Sequence, residues 1–170
     1  MAGQKFLYNN AGAIQEVRAA QVSTGVSDAD KIIALDSSGK ISSSMLPSGF
    51  GDDVQIVVAS EGLSAGNYVN IWDDAGLFKV RKADASTSGK EAHGFVLASV
   101  LIGATANVFF EGTNNQVTGQ TPGNVFLSAT IAGEGTSTAP TTAGKIVQRI
   151  GFAVAANSVN FQSNLSILVA

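Results

Sequence analysis

The chain has no cysteine and a single histidine, His93, among its 170 residues. Disulfides and thiolate chemistry are therefore excluded, and no histidine-based metal cluster can form within one chain. A catalytic triad would have to be built on His93 alone, yet a histidine beside a strand start is more often packed or hydrogen-bonded. A metal or pH-sensitive site would need a trimer that gathers three copies of His93 around an axis.

Charge is scarce, because only 14% of the residues are charged and the net charge is −3. This balance supplies no basic field for nucleic acid, and the one tight basic cluster, Lys79, Arg81 and Lys82, fits the solvated face of a strand. The 45% hydrophobic content argues against disorder. So few charges indicate that partners cover part of the uncharged surface.

No long hydrophobic run is present. The longest, over residues 94–110, is interrupted by Gly103, Thr105 and Asn107, whereas a membrane-spanning helix needs roughly 20 apolar residues. It predicts two adjacent strands instead. Because no apolar segment follows Met1, we expect no secretory signal, no membrane partner and synthesis in a cytoplasm.

No motif defines an active site. Ser37 and Lys40 have Ser-x-x-Lys spacing, but they lie in a predicted turn without partner motifs. Isoleucine follows the Gly-Lys pairs at 39–40 and 144–145, where a phosphate-binding loop needs Ser or Thr. The aspartate pairs lack the alternating spacing of a calcium loop; these pairs are Asp28/Asp30, Asp52/Asp53 and Asp73/Asp74. The sequence therefore predicts no catalytic residue, no metal site and no cofactor.

The N-terminal region predicts a small hairpin. Strand-like segments 6–8 and 14–17 flank Asn9-Asn-Ala-Gly12, whose Asn and Gly residues tolerate the positive φ of tight turns. A lone two-stranded ribbon is marginal in water, so it must pair with something larger. Residues 18–29 have no period and predict an extended linker, with Ser27 capping a brief helical turn over 28–31.

The following stretch, residues 30–47, joins this hairpin to the rest of the chain. It holds two apolar runs, 32–35 and 41–46, separated by Asp36-Ser-Ser-Gly39 and ended by Pro47. We interpret residues 1–47 as an extended arm that binds a neighbouring subunit or another protein, and residues 48–53 as a hinge. The predicted contact residues are Phe6, Leu7, Tyr8, Ile14, Val17, Ile32, Ile33, Leu35, Ile41, Met45, Leu46 and Pro47.

The sequence pattern of residues 54–170 predicts a globular body built from β-strands. Short Val-, Ile- and Phe-rich segments alternate with Gly- or Asn-rich turns, and no long segment has a 3.6-residue period. The predicted strands cover 54–59, 68–72, 77–82, 92–101, 104–111, 125–129, 146–155 and 159–169. This pattern is typical of an all-β protein with an antiparallel, jelly-roll-like sandwich or barrel.

The body contains a candidate internal repeat. At a spacing of 57 positions four glycines match four others, and four further identities accompany them. The matched glycines are Gly62/Gly119, Gly66/Gly123, Gly76/Gly133 and Gly94/Gly151. This predicts two related halves, in which a Gly-Asn turn leads into a strand and a Gly-Phe strand allows close backbone approach. Gene duplication and a shared strand–turn requirement both explain it.

Two aromatic residues, Tyr68 and Trp72, have the spacing that places them on one face of a strand. Such a face can stack on a sugar ring, although aromatic residues at such positions more often pack in the core. Both interpretations stay open on the sequence.

One resemblance involves segments 4–10, 12–17, 29–41 and 44–47 of the arm and 63–71, 80–85 and 93–97 of the body. These segments resemble tailed-bacteriophage virion proteins of the head decoration, cement or fibre-like type. The resemblance implies a non-enzymatic protein on the outer surface of the virion that binds the major capsid protein, often as a homotrimer. A receptor- or glycan-binding fibre tip is the alternative. A polysaccharide depolymerase is disfavoured, because this sequence has no paired carboxylates in a recognisable setting.

Overall fold

The computed structural model describes residues 5–46 and 53–170, so Pro47 and most of the predicted hinge lie outside the described residues. The chain divides into two compact units, Met1–Gly51 and Asp52–Ala170, called here the arm unit and the body. The described parts of both are built from β-strands, with two 3-10 helices of three residues each. The predicted all-β class is therefore confirmed.

The described chain contains fourteen strands. They are β1 (Lys5–Asn10), β2 (Ala13–Arg18), β3 (Val54–Ala59), β4 (Tyr68–Asp74), β5 (Leu77–Lys82), β6 (Gly94–Phe95), β7 (Thr105–Phe109), β8 (Glu111–Asn114), β9 (Gly123–Leu127), β10 (Gly135–Thr136), β11 (Ile146–Val147), β12 (Arg149–Ala155), β13 (Ser158–Gln162) and β14 (Ile167–Leu168). The predicted strands 54–59 and 77–82 match β3 and β5. The predicted strand 92–101 is wrong over most of its length, because the chain leaves the sheet after Phe95 and Val96 bonds to a loop carbonyl, that of Asn67.

The arm unit begins with the predicted hairpin, β1 paired antiparallel with β2. Its turn is tighter than the sequence indicated, since Ala11 and Gly12, with φ of 50° and 95°, form the whole of it. Asn9 and Asn10 belong to β1 instead, and Asn9 Oδ1 accepts a hydrogen bond of 2.8 Å from the Gly12 amide. Positive φ at both central residues gives the twist that fits a two-residue hairpin.

The predicted linker 18–29 is wrong, because hydrogen bonds fold it back on the next segment. The Ala20 amide donates to the Ile32 carbonyl at 2.9 Å, and the Ala34 amide donates to the Ala20 carbonyl at 2.8 Å. The predicted cap at Ser27 is also wrong, since Ser27 lies inside a 3-10 helix, Val26–Asp28, that starts after Gly25. A second 3-10 helix covers Ser43–Met45.

The first half of the body is a closed barrel of strand order β3-β5-β4-β6-β7. Its interior is apolar and includes Val57, Val69, Val80 and Val108. The predicted turn Asp73–Gly76 is confirmed, because it joins β4 to β5 with the Gly76 amide bonded to Asp73 Oδ1. Closure depends on a parallel pair, β3 with β5, which an entirely antiparallel prediction missed.

The second half is a sheet of order β10-β9-β12-β13-β8. When the closed barrel is read from β5 round to β3, its order β5-β4-β6-β7-β3 corresponds strand by strand to this sheet. The four neighbouring pairs in each order are antiparallel in both halves. This is the two-halved body that the glycine spacing predicts. The predicted sandwich or barrel is confirmed in the coarse sense that the body combines a closed barrel with an open sheet. The strand order is not that of a jelly roll, because only the first half forms the parallel pair that closes it.

A second hydrophobic core joins the two halves. Tyr68 and Phe95, which pair across β4 and β6, stand on the barrel exterior and pack against Phe161 of β13. The ring centroids of Phe95 and Phe161 are 5.5 Å apart, in the edge-on geometry that aromatic pairs prefer. The body thus has two hydrophobic cores, one inside the barrel and one between the barrel exterior and the second sheet. Within the described ranges, no helix has the length and apolar character needed to cross a membrane.

Candidate functional site

The predicted contact residues of the hairpin lie on two opposite faces. Phe6 pairs with Val17, so both share a face with Tyr8. Leu7 and Ile14 belong to the other face, because successive side chains of a strand alternate. Leu7 is 75% exposed, whereas Phe6 and Val17 partly cover each other as a cross-strand pair. A partner contacts all five residues only if it covers both faces.

The junction residues are also exposed. Ile32, Ile33 and Leu35 are each about half exposed, and Ile41 and Leu46 are similar, while Met45 is partly covered. Within residues 5–46, Ala34 is the one buried hydrophobic residue. The arm unit therefore carries many apolar side chains but no core that could bury them. Pro47, the last predicted contact residue, lies outside the described residues.

Two aspartates hold the loops that present these side chains. Asp28 Oδ2 accepts hydrogen bonds from the amide and the hydroxyl of Thr24, at 2.6 and 2.7 Å, and Asp28 Oδ1 accepts one from Lys31. Asp36 Oδ1 accepts from the amides of Ser38 and Lys40, which makes the predicted turn at 36–39 a closed loop. Ser37 and Lys40, which have Ser-x-x-Lys spacing, are thus part of a structural turn.

Both carboxylates have lowered pKa values. The bond from Lys31, with further bonds from Thr24, lowers the pKa of Asp28, and the amides of Lys40 and Ser38 lower the pKa of Asp36. Hydrogen bonds that need the charged acceptor explain both shifts.

We expect these loops to open only in strong acid. A carboxylate whose pKa falls on folding stabilises the folded loop above its ordinary pKa of 3.8, and that stabilisation is lost as the pH drops through the lowered value. The amide resonances of Thr24, Ser38 and Lys40 should therefore shift with midpoints below pH 3.8. Asp36→Asn should abolish the transition at Ser38 and Lys40 alone. Midpoints at or above the ordinary value would contradict the bonding described here.

His93 occupies a structural position. Its side chain is exposed, and its Nδ1 accepts a hydrogen bond of 3.1 Å from the Ile71 amide, so the hydrogen-bonded interpretation is confirmed. Among the residues with described positions, no three His, Asp or Glu side chains lie together in a way that could hold a metal ion. The proposed three-copy His93 site stays a hypothesis about an assembly.

The aromatic pair on β4 does not form a shared sugar-stacking face. Tyr68 is fully buried against Phe161, so the core interpretation is confirmed for it. Burial raises the pKa of Tyr68, whose hydroxyl has no hydrogen-bond partner among the described residues. Trp72 is half-buried, with the Arg81 guanidinium 4.5 Å above its ring and its Nε1 bonded to Ser60.

Sequence reasoning missed a cleft of about 550 Å³ in the body. It lies between residues 116–121, which follow β8, and residues 131–137, which lead into and past β10, with residues 64–68 and Lys82 completing the wall. Among the hydroxyl and amide side chains that line it are those of Ser64, Gln116, Thr118 and Gln120. Its lining comes from four separate parts of the chain, so no local motif could have revealed it.

Comparison of the chain with protein-family models, with curated proteins and with solved structures finds no significant match. The exposed apolar side chains of the arm unit make it the candidate contact surface. The cleft is a separate feature of the body.

Proposed function

We propose that this chain is a non-enzymatic decoration or cement protein of a bacteriophage head. In this proposal the arm unit binds the major capsid protein on the outer surface of the shell, and three copies of the chain associate. The protein is made in the host cytoplasm and stabilises the shell mechanically, without nucleic acid or membrane as a partner. The observation that carries the proposal is the exposed apolar surface of an arm unit whose described part buries one hydrophobic residue, Ala34.

Burial of the exposed apolar side chains of the arm would favour its binding to a partner. Complete burial of a Val, Leu or Ile side chain contributes about 1.5–3 kcal/mol, so covering several half-exposed side chains supports binding after the loss of rotational and translational freedom is offset. Val26, at 93% exposure, and Leu7 have the most surface to lose.

The hairpin adds a second mode of contact. In the described part of the chain, β1 and β2 pair only with each other, so each has an outer edge with unpaired backbone groups. Such edges bind another strand through main-chain hydrogen bonds. Three arms on one trimer would convert modest single contacts into high avidity, as the second and third arms bind at high effective concentration.

Removal of residues 1–47 should abolish shell binding and leave the body folded. The body keeps both of its hydrophobic cores after the truncation, because all of their residues lie beyond position 56. With phage heads assembled without this protein, we expect the truncated chain to co-sediment more than about 100-fold more weakly than the full chain. Circular dichroism checks that the body stays folded.

A pair of full-length variants controls for the truncation. Leu35→Asp changes an exposed leucine of the arm, and Leu101→Asp changes an exposed leucine of the body. Only the first should reduce head binding. Undiminished binding by the truncated chain, or a monomer mass both in solution and on the particle, would overturn the proposal.

A further inference from the structure

The cleft lies where the second half of the body departs from the first. In the barrel, β3 and β5 pair in parallel through Val58 with Lys79 and Ala59 with Val80. The corresponding strands of the second half, β8 and β10, are the two ends of its sheet, and these two described strands do not pair with each other. The chain after β8 and the chain around β10 instead line the opening.

We propose that this cleft binds an uncharged saccharide. The volume of about 550 Å³ is within the range of small-molecule sites, roughly 300–1,000 Å³. Its uncharged polar side chains are hydroxyls and amides, each of which both donates and accepts hydrogen bonds as a sugar hydroxyl requires. The residues that carry this argument are Ser64, Gln116, Thr118, Gln120, Thr136 and Ser137.

The charges around the cleft favour a neutral ligand. Lys82 and Glu134 contribute one charge of each sign, so the cleft has neither the cluster of cations that binds phosphate or sulfate nor the carboxylates that bind a metal ion. Val117 and Ile131 supply apolar surface for the C–H faces of a sugar ring.

An added peptide strand fits the cleft less well than a saccharide. Strand addition needs a regular edge with evenly spaced backbone groups. Residues 116–121 form no strand, and β10 has only two residues, Gly135 and Thr136, whose ladder partners are in β9. Side chains, rather than a free strand edge, therefore face the ligand. This site depends neither on the arm nor on shell binding.

The test is an NMR titration of the full-length chain with maltohexaose, cellohexaose and chitotetraose. Concentrations up to about 10 mM detect a Kd near about 1 mM. We expect at least one of these probes to shift amide resonances within 116–121 and 131–137. The charged control is a heparin hexasaccharide, and the strand-forming control is a six-residue peptide of alternating valine and threonine. Neither should shift these amide resonances.

Two matched variants locate the effect. Thr118→Trp places a bulky side chain at the cleft and should raise the Kd of the responding saccharide at least tenfold. Thr105→Trp changes an exposed threonine on the barrel and should leave that Kd unchanged. The proposal is overturned if no neutral probe shifts these residues, if either control probe shifts them more strongly, or if Thr118→Trp binds as tightly as the parent chain.

Discussion

Replacing Gly151 with alanine is expected to destabilise the body by about 4 kcal/mol, because steric overlap and backbone strain add at one position. A Cβ at residue 151 would overlap the carbonyl oxygen of Asn160 on the neighbouring strand β13. Gly151 also has a φ of 148°, which side-chain-bearing residues rarely adopt. This loss is a large part of a typical total stability of about 5–15 kcal/mol.

Two other glycines separate the two causes. Gly144 has a φ of 79° and open space where a methyl group would lie, so Gly144→Ala tests the backbone strain alone and should lose about 1–2 kcal/mol. Gly94 has no such φ, but its Cβ would lie 2.5 Å from the Phe109 oxygen, so Gly94→Ala tests the overlap. Urea unfolding of the full chain ranks the three. A Gly151→Ala variant no less stable than Gly144→Ala would refute the account.

The second large effect is expected at Gln148, whose side chain is buried in the body. Its Oε1 accepts from the Ala92 amide at 2.7 Å, and its Nε2 donates to the carbonyls of Ala92 and Asn164 at 2.9 and 3.1 Å. These bonds tie the segments before β6 and after β13 to the chain entering β12. Gln148→Met keeps the volume but leaves the Ala92 amide without this acceptor, so we expect a loss of about 2–4 kcal/mol.

Urea unfolding and hydrogen exchange measure this loss. The Ala92 amide should exchange much faster in Gln148→Met. Gln120→Met should unfold like the parent chain, because among the described residues the Gln120 side chain is hydrogen-bonded only to the nearby Thr118 carbonyl. If Gln148→Met were as stable as the parent, the hydrogen bonds of the Gln148 side chain would not contribute to stability, and packing alone would hold these segments.

Local chemistry explains what the sequence predicted well. The turns at Gly12 and Gly76 were predictable because glycine tolerates the positive φ that two-residue hairpins need. The repeat was predictable for a related reason. Gly94 and Gly151 occupy corresponding strands, and in both a side chain would strike the adjacent strand.

The arm shows where local reasoning stopped. Residues 18–29 lack a period, and this absence predicted a linker. Their order depends on hydrogen bonds to residues 32–35 and on the Asp28 carboxylate, and such contacts leave no periodic trace in the sequence. The predicted contact residues could be chosen from apolar character alone, but their division between two hairpin faces followed only from the register of β1 and β2.

The sequence by itself determined the β class, the hairpin turns and the presence of two related halves, since alternation and glycine conformation are local properties. The tertiary structure alone decided that one half closes and the other stays open. Closure requires β3 and β5, separated by β4 along the chain, to meet in parallel, and such a long-range pairing depends on how the whole sheet twists and packs. The same difference placed the cleft in the half whose end strands do not meet.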